Sequence, residues 1–256
     1  MCELFGASLH YSIQLNIYLK EFYSHSVRHP HGWGLMLQND DGIEIEKEPL
    51  RADKSHYLYA RLSVPIRAKA AMAHIRYATV GNVEYKNCHP YIDTDSSGRK
   101  WVLMHNGTIF DYGPLTKYIP EQVGDTDSER ILLHILDLMN ERIRKEGEPD
   151  VRERFEMIDT LITKMAPNNK LNLVLYDGEL LYVHTNYANS LHFCHISQGT
   201  LFSTEPLSQQ EWEPVPMTTL LGYRDGELVY TGTNHGQEYV DSEENMKYLY
   251  QIFSTL

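Results

Sequence analysis

Basic side chains are scarce in this sequence of 256 residues. Lysine and arginine together number 23 against 35 aspartate and glutamate residues, which gives a formal charge of -12 at pH 7. A surplus of negative charge repels the phosphate backbone of nucleic acids and the anionic surface of membranes. The composition therefore predicts no nucleic-acid partner and no attraction to a membrane surface.

Long apolar runs are missing as well. No stretch approaches the roughly 18 apolar residues that a membrane-spanning helix needs, and residues 1–30 lack the basic start and apolar centre of a signal peptide. We therefore expect a cytoplasmic protein. The sequence also lacks internal repeats, low-complexity tracts and a linker rich in proline, glycine or serine, so we expect a single domain over residues 1–256.

Cysteine is rare too, and the three cysteines are Cys2, Cys88 and Cys194. Their odd number and wide spacing argue against a disulfide framework and against a zinc site. The histidines at 25, 29 and 31 lie close together in sequence, but no second group of ligands accompanies them. We predict neither a bound metal nor an organic cofactor.

Four short apolar segments rich in strand-forming residues indicate β-strands: Ala70 to Ile75, Trp101 to His105, Leu171 to Tyr176 and Leu180 to His184. Asp177-Gly178 lies between the last two and predicts a hairpin turn. Arg224-Asp225-Gly226 predicts a second hairpin of the same kind. The first 60 residues have no pattern that allows a local structure to be assigned.

Two helical patterns lie between the strand-rich parts of the chain, and a third follows them. Thr126-Asp127-Ser128-Glu129 is typical of a capping box, and apolar residues follow it at helical spacing: Leu132, Ile135, Leu136, Met139 and Ile143. A second helix is predicted over Val151 to Met165, with Phe155, Ile158 and Ile162 on one face. A third is predicted after Ser242, with Met246, Leu249, Tyr250 and Phe253 on its apolar side. Strands, a helix pair, more strands and a final helix favour an α+β fold.

Cys2 follows the initiator methionine directly, and a small second residue permits removal of Met1. The exposed cysteine then carries an α-amine, with a pKa near ~8, beside a thiol with a pKa near ~8.5. The amine can serve as the base that activates the thiol. Because many proteins have a small residue at position two, Cys2 alone is weak evidence for catalysis.

Further motifs accompany Cys2 along the chain: His74-Ile75-Arg76-Tyr77-Ala78-Thr79, Asn87-Cys88-His89-Pro90, His105-Asn106-Gly107 and Thr126-Asp127-Ser128-Glu129. Together with Met-Cys-Glu-Leu-Phe-Gly at residues 1–6, this ordered set resembles the class II glutamine amidotransferases. Three further motifs extend the resemblance over most of the chain: His31-Gly32-Trp33-Gly34, Leu171-Asn172-Leu173 and Ser203-Thr204-Glu205-Pro206-Leu207. These three are similar to the small stand-alone members, which include hydrolases of γ-glutamyl amides.

The resemblance implies a four-layer αββα sandwich of the N-terminal-nucleophile hydrolases, with two mainly antiparallel sheets. It implies that the Cys2 thiol attacks the γ-amide of glutamine or of a γ-glutamyl compound, forming a thioester. Asn106 and Gly107 would then stabilise the oxyanion. Arg76, helped by Thr79, would bind the substrate α-carboxylate, and Asp127 would bind its α-ammonium group.

Each of these motifs also has an interpretation that involves no catalysis. Taken alone, Asn106-Gly107 favours a hairpin turn, Arg76 could reach solvent from a strand end, and Asp127 could simply complement a helix dipole. We expect Cys88 and Cys194 to be packing residues. Val80 replaces a histidine that many relatives carry, so the finer contacts to glutamine can differ here.

The destination of the ammonia is left open by the sequence. Multidomain relatives pass ammonia to a second domain, which is not seen here, so either a separate subunit accepts it or the protein is a plain γ-glutamyl hydrolase. A different class of function is a non-catalytic glutamine-binding module that regulates a partner. The presence of the nucleophile, the oxyanion pair and both head-group residues favours the enzyme, and a homodimer would be unsurprising.

Overall fold

Two antiparallel sheets form the centre of the protein in the computed structural model, which describes residues 2–207, 210–243, 245 and 247. The strands are β1 (Glu3–Gln14), β2 (Trp33–Asn39), β3 (Gly42–Glu48), β4 (Arg67–Ile75), β5 (Tyr91–Thr94), β6 (Lys100–Thr108), β7 (Lys170–Tyr176), β8 (Leu181–His184), β9 (His192–Ile196), β10 (Gly199–Ser203), β11 (Glu213–Pro214), β12 (Leu221–Arg224) and β13 (Glu227–Thr231). The first sheet has the order β11-β9-β10-β1-β4-β2-β3, and the second has the order β13-β12-β8-β7-β6-β5.

Helices cover the outer face of each sheet. The α-helices are α1 (Asn16–Ser24), α2 (His56–Ser63), α3 (Asp127–Glu146) and α4 (Val151–Met165). Apolar residues of α1 and α2 pack with the seven-stranded sheet, and those of α3 and α4 pack with the six-stranded sheet. A third core fills the space between the sheets. The predicted α+β fold and its four αββα layers are thereby confirmed.

The two helices α3 and α4 form where the sequence predicts them. Asp150 and Glu153 form a complete capping box at the start of α4. At the start of α3 the box is only half formed, because Thr126 accepts from the Glu129 N–H at 3.2 Å while the Glu129 carboxylate turns to the N–H groups of Val123 and Gly124. The third predicted helix, with Met246, Leu249, Tyr250 and Phe253, lies outside the described residues.

The four predicted strands correspond to β4, β6, β7 and β8, and the two predicted hairpins join β7 to β8 and β12 to β13. Positive φ angles at Gly178, Asp225 and Gly226 account for those turns. The interpretation of Asn106-Gly107 as a turn is wrong. These residues lie inside β6 and pair with Asn172 and Leu171 of β7.

The first 60 residues, which the sequence left unassigned, form β1, α1, β2, β3 and the start of α2. The strand β1 lies inside the seven-stranded sheet, between β10 and β4. It also faces β6 across the core between the sheets. Among the described helices, none is long and apolar enough to cross a membrane.

Candidate active site

Cys2 lies immediately before β1, at the end of the space between the two sheets. Leu4 belongs to the core between the sheets, and side chains alternate along a strand, so Cys2 is directed to the same side. The thiol donates to the Tyr77 carbonyl at 3.4 Å and accepts from the Tyr77 N–H at 3.3 Å. Burial raises the pKa of the Cys2 thiol, while the Tyr77 backbone contact and the charge of Arg76 oppose that rise.

Arg76 follows the last residue of β4 and is buried, with 2% of its surface exposed. The interpretation that it reaches solvent is therefore wrong. Its guanidinium donates to the carbonyls of Val80, Gly81 and Asn82 at 2.8 to 3.0 Å. These bonds use three of the five N–H donors of the group. Among the described residues, no carboxylate lies within ion-pair distance of Arg76, so its charge is not neutralised by a carboxylate.

Asp127 is the first residue of α3, where its negative charge complements the helix dipole. Its carboxylate also accepts from the backbone N–H of Ile109 at 2.8 Å, which ties it to the chain that leaves β6. The negative charge of Asp127 acts to raise the pKa of the Cys2 thiol. The fold thus brings Asp127 into the electrostatic surroundings of Cys2, together with Arg76.

Asn106 and Gly107 lie on β6, which faces β1 across the core between the sheets. Val102 and Met104 belong to that core, and the alternation along β6 directs the Asn106 side chain into the same space. Gly107 has no room for a Cβ atom, because the Lys170 carbonyl and the His105 ring occupy its position. Asn106 and Cys2 therefore approach the same space from opposite sheets.

Thr79 is half-buried in the loop that follows Arg76 and has no side-chain hydrogen bond among those the structure describes. The neighbouring Val80 supplies a carbonyl to Arg76 at 2.8 Å. This loop therefore surrounds the guanidinium with backbone oxygens. The loop fixes the place of Arg76 through main-chain atoms, which do not depend on the side chain at position 80.

Two buried histidines add to the site, although sequence reasoning gave them no role. The rings of His74 and His89 lie 4.3 Å apart between centroids, and none of their four ring nitrogens has a hydrogen-bond partner in the described part of the chain. Burial, helped by nearby positive charges, holds both pKa values well below the ordinary range. Both rings are therefore neutral. The sequence feature that could have identified them is their position inside the two motifs that also contain Arg76 and Cys88.

Lys47 was also missed by the sequence analysis. It is located on β3, and its ammonium donates to the carbonyls of Cys88 and Pro90 at 2.8 and 3.2 Å. Burial lowers the pKa of Lys47. This contact fixes the segment that carries His89, but no local pattern in the sequence could indicate it because the partners are more than 40 residues apart.

The three neighbouring histidines do not converge on one point. His25 and His29 approach the buried carboxylate of Glu3, at 2.8 and 3.5 Å, whereas His31 accepts a hydrogen bond from the Ala78 N–H at 2.8 Å. Arg28 completes the first group and joins Glu3 to Glu205, at 3.3 and 2.7 Å. The position of Glu3 is therefore fixed by ion pairs and hydrogen bonds directly after Cys2.

Cys88 and Cys194 are both buried and free. Burial raises the pKa of the Cys88 thiol to about 11, and its sulfur donates to the Glu84 carbonyl at 3.4 Å. Cys194 lies in β9, where its sulfur contacts the His195 carbonyl at 3.6 Å. Neither thiol is available as a thiolate near neutral pH, which agrees with a packing role.

Two facing antiparallel sheets between helical layers place this protein in the class of N-terminal-nucleophile hydrolase folds, and the candidate site lies where those sheets meet. Sequence comparison narrows the class, since the profile of the class II glutamine amidotransferases matches residues 1–198. The chain belongs to that family.

One sequence relative and two solved structures are similar to this chain. The putative glutamine amidotransferase YafJ of Escherichia coli is 29% identical over 186 residues, covering 72% of this chain and 70% of YafJ. A predicted glutamine amidotransferase from Pseudomonas aeruginosa has a TM-score of 0.60 at 20% identity, covering 90% of this chain and all of that chain. The phosphoribosylpyrophosphate amidotransferase of Bacillus subtilis has a TM-score of 0.66 at 17% identity, covering 90% of this chain and 48% of that chain. The two structures show the shared fold.

Proposed function

We propose that this protein hydrolyses the γ-amide of glutamine, or of a γ-glutamyl compound, through a thioester on Cys2. The observation that carries the proposal is the place of Cys2 directly before β1, which faces the strand β6 that carries Asn106, while the charges of Arg76 and Asp127 act on the Cys2 thiol. In this proposal the site has a nucleophile, an amide donor and two opposite charges. A zwitterionic amino-acid head group has the charges that match that pair.

The proposed reaction has two steps. The Cys2 sulfur attacks the γ-carbonyl carbon, a C–S bond forms, and the C–N bond breaks as the α-amine of Cys2 returns a proton to the departing ammonia or amine. Asn106 and the Gly107 N–H would hold the oxyanion of each tetrahedral intermediate. Water, activated by the same amine, then releases glutamate and the free thiol. These steps require no metal or organic cofactor, and we place them in the cytoplasm.

Arg76 is the group that we assign to the substrate α-carboxylate, with Thr79 beside it. Its support is the guanidinium that is buried and lacks a carboxylate partner in the described residues, because a buried charge of this kind is stabilised by an anionic ligand. Asp127 takes the α-ammonium group in the same scheme. Both assignments predict that a glutamine analogue without either charged group binds poorly.

Labelling with 6-diazo-5-oxo-norleucine, a glutamine-shaped electrophile, tests the proposal. We expect loss of Met1 and one adduct on Cys2 by intact mass and peptide mapping. Cys2→Ala and Cys2→Ser should lose the adduct and reduce glutamine hydrolysis by on the order of 10³-fold or more. Cys194→Ala is the matched control, because that thiol lies away from the site in β9, and it should retain both properties.

The same experiment separates the alternatives. Full amidase activity in Cys2→Ala would overturn the nucleophile assignment. Methionine removal with no adduct, under conditions that label a known glutaminase, would point to a different γ-glutamyl substrate or to the non-catalytic glutamine-binding module. Release of ammonia by the purified chain alone would favour the plain hydrolase, and activity that requires a co-purified subunit would favour a separate acceptor.

A further inference from the structure

The His31-Gly32-Trp33-Gly34 motif has no role in the reaction proposed above, yet it lies against the site. The His31 N–H donates to the Arg76 carbonyl at 3.0 Å, and the Arg76 N–H donates to the Gly32 carbonyl at 2.8 Å. These two bonds continue the pairing of β2 with β4 beyond the ends of both strands. His31 is therefore positioned, through its backbone, beside the chain that carries Arg76 and Tyr77.

The side chain of His31 makes a further contact with this chain. Its Nδ1 atom accepts from the Ala78 N–H at 2.8 Å, and its ring centroid lies 5.3 Å from that of Tyr77. An accepting Nδ1 requires a neutral ring with its proton on Nε2. Burial and the charge of Arg76 both lower the pKa of His31. The surroundings therefore keep Nδ1 available as an acceptor at neutral pH.

The bond to Ala78 matters because of which peptide group it fixes. The Ala78 N–H and the Tyr77 carbonyl belong to one planar peptide unit, so fixing the orientation of one fixes the other. That carbonyl accepts from the Cys2 thiol at 3.4 Å, and the Tyr77 N–H donates to the same sulfur at 3.3 Å. Only one peptide plane separates the His31 ring from the Cys2 sulfur.

We propose that His31 is a positioning residue for Cys2, which sets the reactivity of the thiol by fixing the Tyr77–Ala78 peptide. With this peptide held, the Tyr77 carbonyl remains directed at the sulfur and accepts from the protonated thiol, which stabilises the neutral form and holds the sulfur in place. Without the acceptor at Nδ1, the peptide rotates and this carbonyl moves away from the sulfur. The inference rests on the proposed role of Cys2, but its test measures the reactivity of the Cys2 thiol directly.

The test is the rate of Cys2 alkylation by iodoacetamide at pH 7, measured by peptide mapping of the full-length protein. His31→Leu removes the acceptor, and we expect alkylation about five- to tenfold faster, because a thiol that loses the acceptor of its proton ionises more readily, by about the effect of one hydrogen bond. His31→Asn keeps an acceptor oxygen near the place of Nδ1 and should restore most of the wild-type rate. His56→Asn changes an exposed histidine at the start of α2 and should leave the rate unchanged.

Thermal unfolding of each variant identifies a chain that has lost its fold. A folded His31→Leu protein that is alkylated at the wild-type rate would overturn the proposal. Equal acceleration in His31→Asn and His31→Leu would also overturn it, because a general packing role predicts no rescue by an acceptor. Alkylation needs no turnover, so a protein that fails to hydrolyse glutamine but shows this pattern would contradict the proposed function and leave the role of His31 intact.

Discussion

Two buried arginines differ in what surrounds their charges. Arg154 on α4 is 3% exposed and lies 2.8 Å from the Asp177 carboxylate and 2.7 Å from that of Glu179. Arg76 is 2% exposed and contacts three backbone carbonyls. Of these two arginines, only Arg154 has a carboxylate partner among the described residues. The guanidinium of Arg154 is neutralised within the fold, whereas that of Arg76 has its charge available for an anionic ligand.

This difference separates a structural charge from a candidate binding group. Asp177, the partner of Arg154, is fully buried and also accepts from the Tyr182 hydroxyl and from backbone N–H groups. That network stabilises the turn between β7 and β8. Around Arg76 the neighbours are instead the neutral histidines His74 and His89 and the Cys2 thiol. Burial alone does not identify a functional residue, but burial without a carboxylate partner favours one.

The largest effect on stability is expected from Arg154→Met. This change leaves Asp177 buried without its partner, so the free energy of unfolding should fall by about 3–5 kcal/mol. Urea unfolding measures the loss. Arg152→Met is the control, because Arg152 is exposed and pairs with the exposed Glu156, so its replacement should cost far less. Equal losses in the two variants would show that the buried Arg154 contributes no more to stability than an exposed arginine does.

The next effect is on catalysis and concerns Arg76. Replacing it with Leu removes the charge assigned to the substrate carboxylate, and kcat/KM for glutamine should fall by about 10- to 150-fold, corresponding to about 1.5–3 kcal/mol. Steady-state kinetics on the folded variant measures the fall. Its loss of stability should be smaller than that of Arg154→Met. Unchanged kinetics would show that Arg76 has no part in substrate binding.

A third prediction concerns the loss of stability at low pH that His89 causes. Because its folded-state pKa lies well below the value of about 6.5 in the unfolded chain, the unfolded state takes up a proton first as pH falls. Stability is therefore lost below pH ~6.5, by about 1 kcal/mol for this residue between pH 6.5 and 5.5. Urea unfolding at pH 6.5 and at pH 5.5 measures this loss of unfolding free energy. The loss should be smaller by that amount in His89→Leu than in the wild type. An identical loss in both proteins would contradict the neutral state of the ring.

The smallest effects compare two helix caps. Thr126→Ala and Asp150→Ala each remove a capping side chain, which should cost about 1 kcal/mol of unfolding free energy. Only Thr126 precedes a site residue, Asp127, so only its variant should also lower kcat/KM, by roughly two- to fivefold. Thermal unfolding and kinetics on both variants test the distinction. A matching loss of activity in Asp150→Ala would show that α4 acts on the site as well.

Local chemistry explains what the sequence predicted well. The turns at Gly178 and Gly226 and the bounds of α4 depend on residues near each other in the chain, so their patterns are readable. Asn106-Gly107 misleads when read locally, because the glycine is required by the close approach of Lys170 from β7 and not by a turn. The order of predicted strands and helices gave the α+β class correctly, and the family resemblance, which reflects the whole fold, added the four αββα layers.

Contacts between distant residues explain what the sequence could not supply. Glu3 meets His25 and Arg28 only after α1 folds back against β1, and Lys47 donates to the carbonyl of Cys88, which lies 41 residues further along the chain. No periodicity in the sequence encodes such pairs. The roles of Cys2, Asn106, Arg76 and Asp127 remain predictions, and the experiments above test them.

The central place of β1 in its sheet has a consequence for biosynthesis. Its neighbours are β4, at residues 67–75, and β10, at residues 199–203. At roughly 5–20 residues per second, a ribosome needs about 10 to 40 s to proceed from the end of β1 to the start of β10. During that interval one edge of β1 has no partner strand, and residue 2 is accessible to processing enzymes before the sheet closes.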